Sequence, residues 1–244
     1  VAQSSEAESF VRANTQLTTT PLLPELPLHL SSDVVALWER MTERAAALGM
    51  VAELPYWASS WPGGQAVARY VLDHPETVAG KSVLDVASGS GLIGIAAALA
   101  GAARVVCNDI DPLCEAAALV NADANAVSVV PDSRDLLDGH ADADVVVIGD
   151  AFYAKDLAER MHAFARRAAR AGALVLVGDP GRAYLPQPRT EWRRVATYRI
   201  PVTDIEAGEV KTTGVWRLRP RPRPLKTSTR QTSTTTGMII GRRR

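Results

Sequence analysis

Cysteine is nearly absent: Cys107 and Cys114 are the only two in 244 residues, and no histidine joins them at zinc-site spacing. That excludes a disulfide framework and leaves no metal to expect. Two reduced thiols suit a cytoplasmic setting, or the mitochondrial matrix if the source is a eukaryote. Long apolar runs are missing too. The longest weakly polar stretch, Leu92 to Ala103, is well short of the ~18 residues that a membrane span needs. The start, VAQSSEAESF, carries two acids and no apolar core of the signal-peptide kind, so no membrane partner is expected. There is no internal repeat. Net charge is zero overall but unevenly spread, because residues 221–244 hold seven basic side chains and no acid. Residues 1–220 therefore carry 20 basic and 27 acidic side chains, a body near −7 against a tail near +7. A body of that sign is a poor surface for phosphates, and no nucleic-acid partner is expected. The tail, rich in Thr, Ser, Pro and Arg, reads as a solvated, disordered end.

Apolar residues are plentiful, at 47%, and their arrangement points to one fold class. Short β-branched runs at Ser82–Val86, Arg104–Asn108, Val127–Val130, Asp144–Ile148 and Ala173–Val177 alternate with helical patterns at Ile93–Ala100, Pro112–Ala124 and Ala154–Ala171. Continuous apolar strands between helices predict an α/β, Rossmann-like, doubly wound sheet covered on both faces. Gly101 and Gly172 fall where left-handed caps want glycine. Farther on, WRRVATYRIPV and VKTTGVWRL read as two strands joined by a turn containing Gly208, an antiparallel hairpin at one sheet edge. Upstream, residues 31–49 predict an amphipathic helix with Ser32 as cap, Gly49 as stop, and an apolar face of Val35, Trp38, Met41, Ala45 and Leu48. Pro21, Pro24 and Pro27 force an extended path ahead of it. The expected division is a leader at 1–60, a main domain at 61–220 and the basic tail at 221–244.

The stretch VLDVASGSGLIGIAAALA follows a strand and opens a helix. Gly89 and Gly91 let the backbone turn tightly and approach a ligand, at a helix N-terminus that offers unpaired N–H groups. Asp109, 18 positions after Gly91, ends the next strand and is placed to bind two ribose hydroxyls. Gly89-x-Gly91-x-x-Gly94 also fits the dinucleotide fingerprint, which keeps an NAD(P)-dependent oxidoreductase as a rival. Asp85 argues for the other ligand: an acid beside the loop attracts the sulfonium and ammonium of S-adenosylmethionine and repels a pyrophosphate.

In VVVIGDAFY, Asp150 ends a fully apolar strand and Tyr153 follows three residues on. In a doubly wound sheet, ligands gather at the carboxyl ends of the strands. A carboxylate of reference pKa ~3.9 cannot keep the proton of an amine of ~10.4, so Asp150 is a poor general base. Orienting the amine and stabilising its methylated cation suit it better. Capping the following helix is the other reading for Asp150, and packing on the sheet is the other for Tyr153. Phe152 is a candidate channel wall.

These features resemble the seven-strand class I methyltransferases. The resemblance implies a seven-stranded mixed sheet and S-adenosylmethionine as cofactor, with S-adenosylhomocysteine as product. It implies that Asp85 anchors the loop, that Ser88, Gly89, Gly91 and Ile110 line the cofactor, and that Asp109 holds the ribose. Asp135, with Asp132 and Ser133 as rivals, is the polar side chain near the adenine. Seven blocks, FVRANTQL, PLLPELPLHL, LPYWASSWPGGQAVARYVLDHP, CNDIDP, GDAFY, GDPGR and TTGVW, are similar to the electron transfer flavoprotein β-subunit lysine methyltransferases. That likeness implies a protein-lysine N-methyltransferase acting on the flavoprotein β-subunit, with a ribosomal protein as the alternative substrate; separately, a monomer is expected. It further implies that Trp61 and the PGGQ turn close over the cofactor and that Trp57 lies by the acceptor channel; core packing is the other reading for both tryptophans. Arg182 of GDPGR touches substrate or pins its loop. Ala87 departs from the family, where many relatives carry glycine, and should stiffen the loop.

Overall fold

The structure is a computed structural model and describes residues 2–186, 190–202 and 210–219. The expected turn at Gly208 and the basic tail at 221–244 lie outside them. Helix α1 (Ala2–Asn14) leads into an antiparallel pair, β1 (Gln16–Thr20) and β2 (Leu23–Leu30). Pro24 and Pro27 do keep this stretch extended, and β2 buries Leu23, Leu26 and Leu28 against the main core.

Helix α2 (Val34–Ala46) starts one residue later than expected, because Asp33 and not Ser32 caps it, accepting from the Ala36 N–H. Its buried face also differs. Val34 and Leu37 are buried and Met41 packs against the cluster that holds Leu37, whereas Val35, Trp38 and Leu48 are exposed.

Helix α3 (Pro62–Asp73) overturns the reading of PGGQ as a turn, since these four residues form its first helical turn. Pro62 suits a first helical position, where no N–H is needed. Glycine is required next because α3 presses on the sheet: a Cβ on Gly63 would strike the Gly178 carbonyl and the Asp150 carboxylate.

From β3 (Ser82–Val86) the alternation follows the expected plan through α4 (Leu92–Leu99), β4 (Arg104–Asn108), α5 (Pro112–Ala124), β5 (Val130–Asp132), β6 (Val145–Gly149), α6 (Lys155–Ala171) and β7 (Leu174–Asp179). β5 begins three residues later than expected. The Val127 N–H closes the end of α5 onto the Ala122 carbonyl, with Ala126 at φ 54°, so pairing starts only at Val130. Strands β8 (Trp192–Pro201) and β9 (Val210–Leu218) pair antiparallel. The seven-stranded order is β5-β4-β3-β6-β7-β9-β8, with β9 inserted beside β7. Order reverses between β3 and β6, and that switch point fixes where a ligand can enter. Valines and alanines of the sheet, α3 and α4 fill one core layer, while α6 covers the other face through Met161, Phe164 and Ala165. No helix among the described residues is long and apolar enough to cross a membrane.

Candidate active site

Beyond the carboxyl ends of β3, β4 and β6 lies a cavity of about 510 Å³, within the roughly 300–1,000 Å³ of small-molecule sites. One wall is the loop from β3 to α4. Ala87, Gly89 and Gly91 all take positive φ, at 55°, 52° and 77°. Glycine adopts this region freely and alanine does not, so Ala87 holds strain of about 1 kcal/mol that a glycine there would not. The loop is tied from below and from the side. Asp85 is fully buried and its Oδ2 accepts from the Gly94 N–H at 2.8 Å. Asp109 Oδ2 accepts from the Gly89 N–H at 3.0 Å, and its Oδ1 from the Asp111 N–H at 3.2 Å. Burial pushes the Asp85 carboxyl up to about 7, with Asp109 adding to the rise and the Gly94 N–H opposing it.

Asp150 forms the opposite wall. Its backbone is at φ 55°, a strained setting for a non-glycine residue, and its side chain is buried. Oδ1 accepts from Arg182 Nε at 2.9 Å and pairs with Nη2 at 2.9 Å, while Oδ2 accepts from the Gly63 N–H. Asp150 therefore caps α3 from across the sheet. It does not cap α6, whose N-cap is Ala154. Burial pushes its carboxyl up to about 6, although Arg182 and the Gly63 N–H both hold it down. Arg182 is delivered by the GDPGR turn, which Asp179 closes by accepting from the Gly181 and Arg182 N–H groups at 2.6 and 2.7 Å.

Aromatic rings complete the enclosure. Tyr56 stacks on Tyr153 at 5.4 Å and 27°, and Trp61 tilts against Tyr56 at 5.8 Å. The Trp61 indole donates to the Tyr56 carbonyl at 3.0 Å, and the Arg182 guanidinium lies 5.9 Å from the Trp61 ring centre. Burial pushes the Tyr153 phenol well above its ordinary value, with Tyr56, Asp109 and Glu53 adding to the shift. It stays a hydroxyl and is not a base.

Of the residues expected from sequence, Asp150, Tyr153, Trp61, Ser88, Gly89, Asp109, Ile110 and Asp135 line this cavity. Asp135 does so while accepting from Arg160 at 2.8 Å and from the Leu137 N–H at 3.1 Å. Its rival Asp132 instead holds Arg134, and neither Asp132 nor Ser133 reaches the wall. Asp85 and Gly91 act from behind the loop, the latter as N-cap of α4. Two expectations fail. Trp57 is wholly buried against Phe10, and Phe152 is wholly buried under α6, so neither borders a channel. Sequence reading missed Tyr56, Glu53 and Arg160, which do line the cavity. Tyr56 and Trp57 share a short 3₁₀ turn with Ala58, in which successive side chains diverge by about 120°. That separation puts the tyrosine on the cavity and its neighbour in the core.

The wall suits a cationic ligand. Glu53, Asp109, Asp111, Asp135 and Asp150 line it, against Arg160 and Arg182, which are both held by carboxylates. Asp85 Oδ1, buried behind the loop, has no hydrogen-bond partner among the described residues. Such a donor set fits the sulfonium and ammonium of S-adenosylmethionine and does not fit a pyrophosphate. Comparison with known proteins agrees. A rat electron transfer flavoprotein β-subunit lysine methyltransferase is 36% identical over 87% of this chain and 84% of its own length. The human protein of the same description is 41% identical over 72% of this chain and 67% of its own. The chain belongs to the electron transfer flavoprotein β-subunit lysine methyltransferase family. The enzyme is an S-adenosylmethionine-dependent methyltransferase. Residues 70–178 also match the family described as ribosomal protein L11 methyltransferase (PrmA). A Pyrococcus horikoshii structure described as an RNA methyltransferase aligns with a TM-score of 0.52 at 16% identity, over 74% of this chain and 96% of that one. That likeness is one of fold alone.

Proposed function

We propose that the enzyme methylates the ε-amine of lysine in a folded protein, the electron transfer flavoprotein β-subunit, and works as a monomer. The observation that carries this reading is the acid-walled cavity between the glycine loop and Asp150. The names of the rat and human relatives supply the substrate. Buried free thiols at Cys107 and Cys114 support a reducing compartment, the cytoplasm or the mitochondrial matrix.

In this reading Ser88, Gly89, Asp109, Ile110 and Trp61 hold the donor, and Asp135 with the adjoining backbone holds its adenine end. When bound, S-adenosylmethionine supplies a methyl group on a positively charged sulfur for in-line displacement. Asp85 positions the loop from behind and, once ionised above about pH 7, adds negative charge under it. Asp150 orients the amine and stabilises the methylated cation. Its carboxyl, raised to about 6, remains far below an amine's ~10.4, so it is no general base. Arg182 neutralises Asp150, which keeps the paired site from trapping lysine as ammonium. Tyr56 takes the place by the acceptor that was expected of Trp57, and Tyr153 offers its hydroxyl or ring face to the cation.

Incubation with labelled donor and the flavoprotein β-subunit, followed by mass-spectrometric mapping, should find methyl groups on lysine. Label on ribosomal protein L11 alone would favour the second reading, which the family match at 70–178 supports. Label on neither protein would sink both.

A further inference from the structure

Soluble folds rarely leave contiguous large apolar side chains in water without a use for them. Here part of the α2 stripe that the sequence marks as a core face is turned outward. Val35 and Trp38 are 43% and 39% exposed, and Leu48, Met50 and Val51 just beyond the helix are 70%, 64% and 88% exposed. Exposed Glu39, Arg40, Glu43 and Arg44 share the helix, as a polar rim surrounds an interface core.

This patch is joined to the donor cavity. Trp38 Nε1 donates to the Ala52 carbonyl at 3.3 Å, which ties the helix to the segment after it. The next two residues, Glu53 and Leu54, are cavity wall, and Tyr56 follows them there. A macromolecule that presents a side chain to the cavity must cover its rim, and here the rim continues into the apolar patch.

We propose that Val35, Trp38, Leu48, Met50 and Val51 form the docking surface for the protein substrate, seating an apolar area beside the acceptor lysine. Trp38 is the anchor, as large aromatic side chains tend to be at interfaces. Glu53, between patch and cavity, attracts the lysine as it passes. The proposal rests on the reading that the acceptor is a folded protein.

The test compares the unsubstituted chain with a Leu48→Ser/Val51→Ser double variant and with Trp38→Ala. Both should raise KM for the flavoprotein β-subunit about tenfold or more, with kcat and S-adenosylhomocysteine affinity within twofold of wild type. Unchanged product affinity shows that fold and donor site are intact, and the double variant covers any loop shift caused by losing the Trp38 hydrogen bond. KM within twofold for both variants overturns the docking surface while leaving the function standing. So does a patch that instead mediates a dimer, seen by sedimentation as an association lost in the variants at unchanged KM. A wild-type enzyme inert on both the flavoprotein β-subunit and ribosomal protein L11 overturns the functional reading, and the docking surface falls with it.

Discussion

Asp85 and Asp150 stand at the carboxyl ends of hydrogen-bonded neighbours, β3 and β6, and both are buried. Asp85 has one N–H donor and a second oxygen without a hydrogen-bond partner among the described residues. Asp150 has a guanidinium and a helix N–H. Burial raises both carboxyls, to about 7 for the first and about 6 for the second. Their partners differ: at Asp150 an opposite charge opposes desolvation, whereas at Asp85 a single N–H hydrogen bond does so. That difference also separates their tasks. Asp85 stays behind the loop and becomes a charge under the donor above about pH 7, whereas Asp150 faces the cavity with its own charge balanced.

Removing that balance should have the largest effect. Arg182→Gln leaves Asp150 buried without its cation and should cost about 3 kcal/mol of unfolding stability at pH 8. A carboxyl whose folded pKa lies above its unfolded one destabilises the fold once ionised. The cost should therefore shrink toward pH 5, where Asp150 is protonated, and urea unfolding at the two pH values would show it. The rising limb of the pH–rate profile should also move to higher pH, because Arg182 is what holds Asp150 down. An unmoved limb would mean that Asp150 does not titrate in turnover.

Asp150→Asn keeps the shape and removes the charge. Turnover should fall about 100-fold, or about 2.7 kcal/mol, with calorimetric affinity for S-adenosylhomocysteine nearly unchanged. Near-normal turnover would reduce Asp150 to a structural tie between β6 and α3.

For Asp85→Asn the signs of stability and function should oppose each other. In the wild type the folded state holds a proton up to about pH 7 that the unfolded chain releases near 4. Stability therefore declines as pH rises through that window. The variant should lose the slope and gain about 2 kcal/mol relative to wild type between pH 5 and pH 8. It should also bind S-adenosylhomocysteine about tenfold more weakly. Parallel pH curves for the two proteins would show that Asp85 does not pay the desolvation cost assigned to it.

The half of the molecule holding these acids was legible because strand, loop and helix there are local patterns. Ser82–Val86 and Arg104–Asn108 match their expected bounds residue for residue. The leader was harder, because its geometry depends on distant partners. α1 is a polar helix fixed by Val11 and Phe10 near α5, and β1 becomes a strand only by pairing with β2. PGGQ carries the residues of a turn, yet close approach of α3 to Gly149 and Gly178 is what its glycines serve. The site shows the same limit. Asp109 and Asp150 follow from strand ends, whereas Tyr56 and Arg160 reach the cavity through contacts that no spacing records.

The smallest effect should separate the acceptor side from the donor side within one residue. Tyr56 touches both: its carbonyl accepts from Trp61 and lies where a Cβ on Gly89 would come within 3.4 Å, while its ring stacks on Tyr153. Tyr56→Leu keeps the carbonyl and deletes the ring, which contributes about 1 kcal/mol as an aromatic pair. KM for the protein substrate should rise about fivefold, with product affinity unchanged, because the backbone beside the glycine loop is intact. If donor affinity falls instead, the ring belongs to the Asp85 side of the site, and the division between a donor wall and an acceptor wall fails at the residue that joins them.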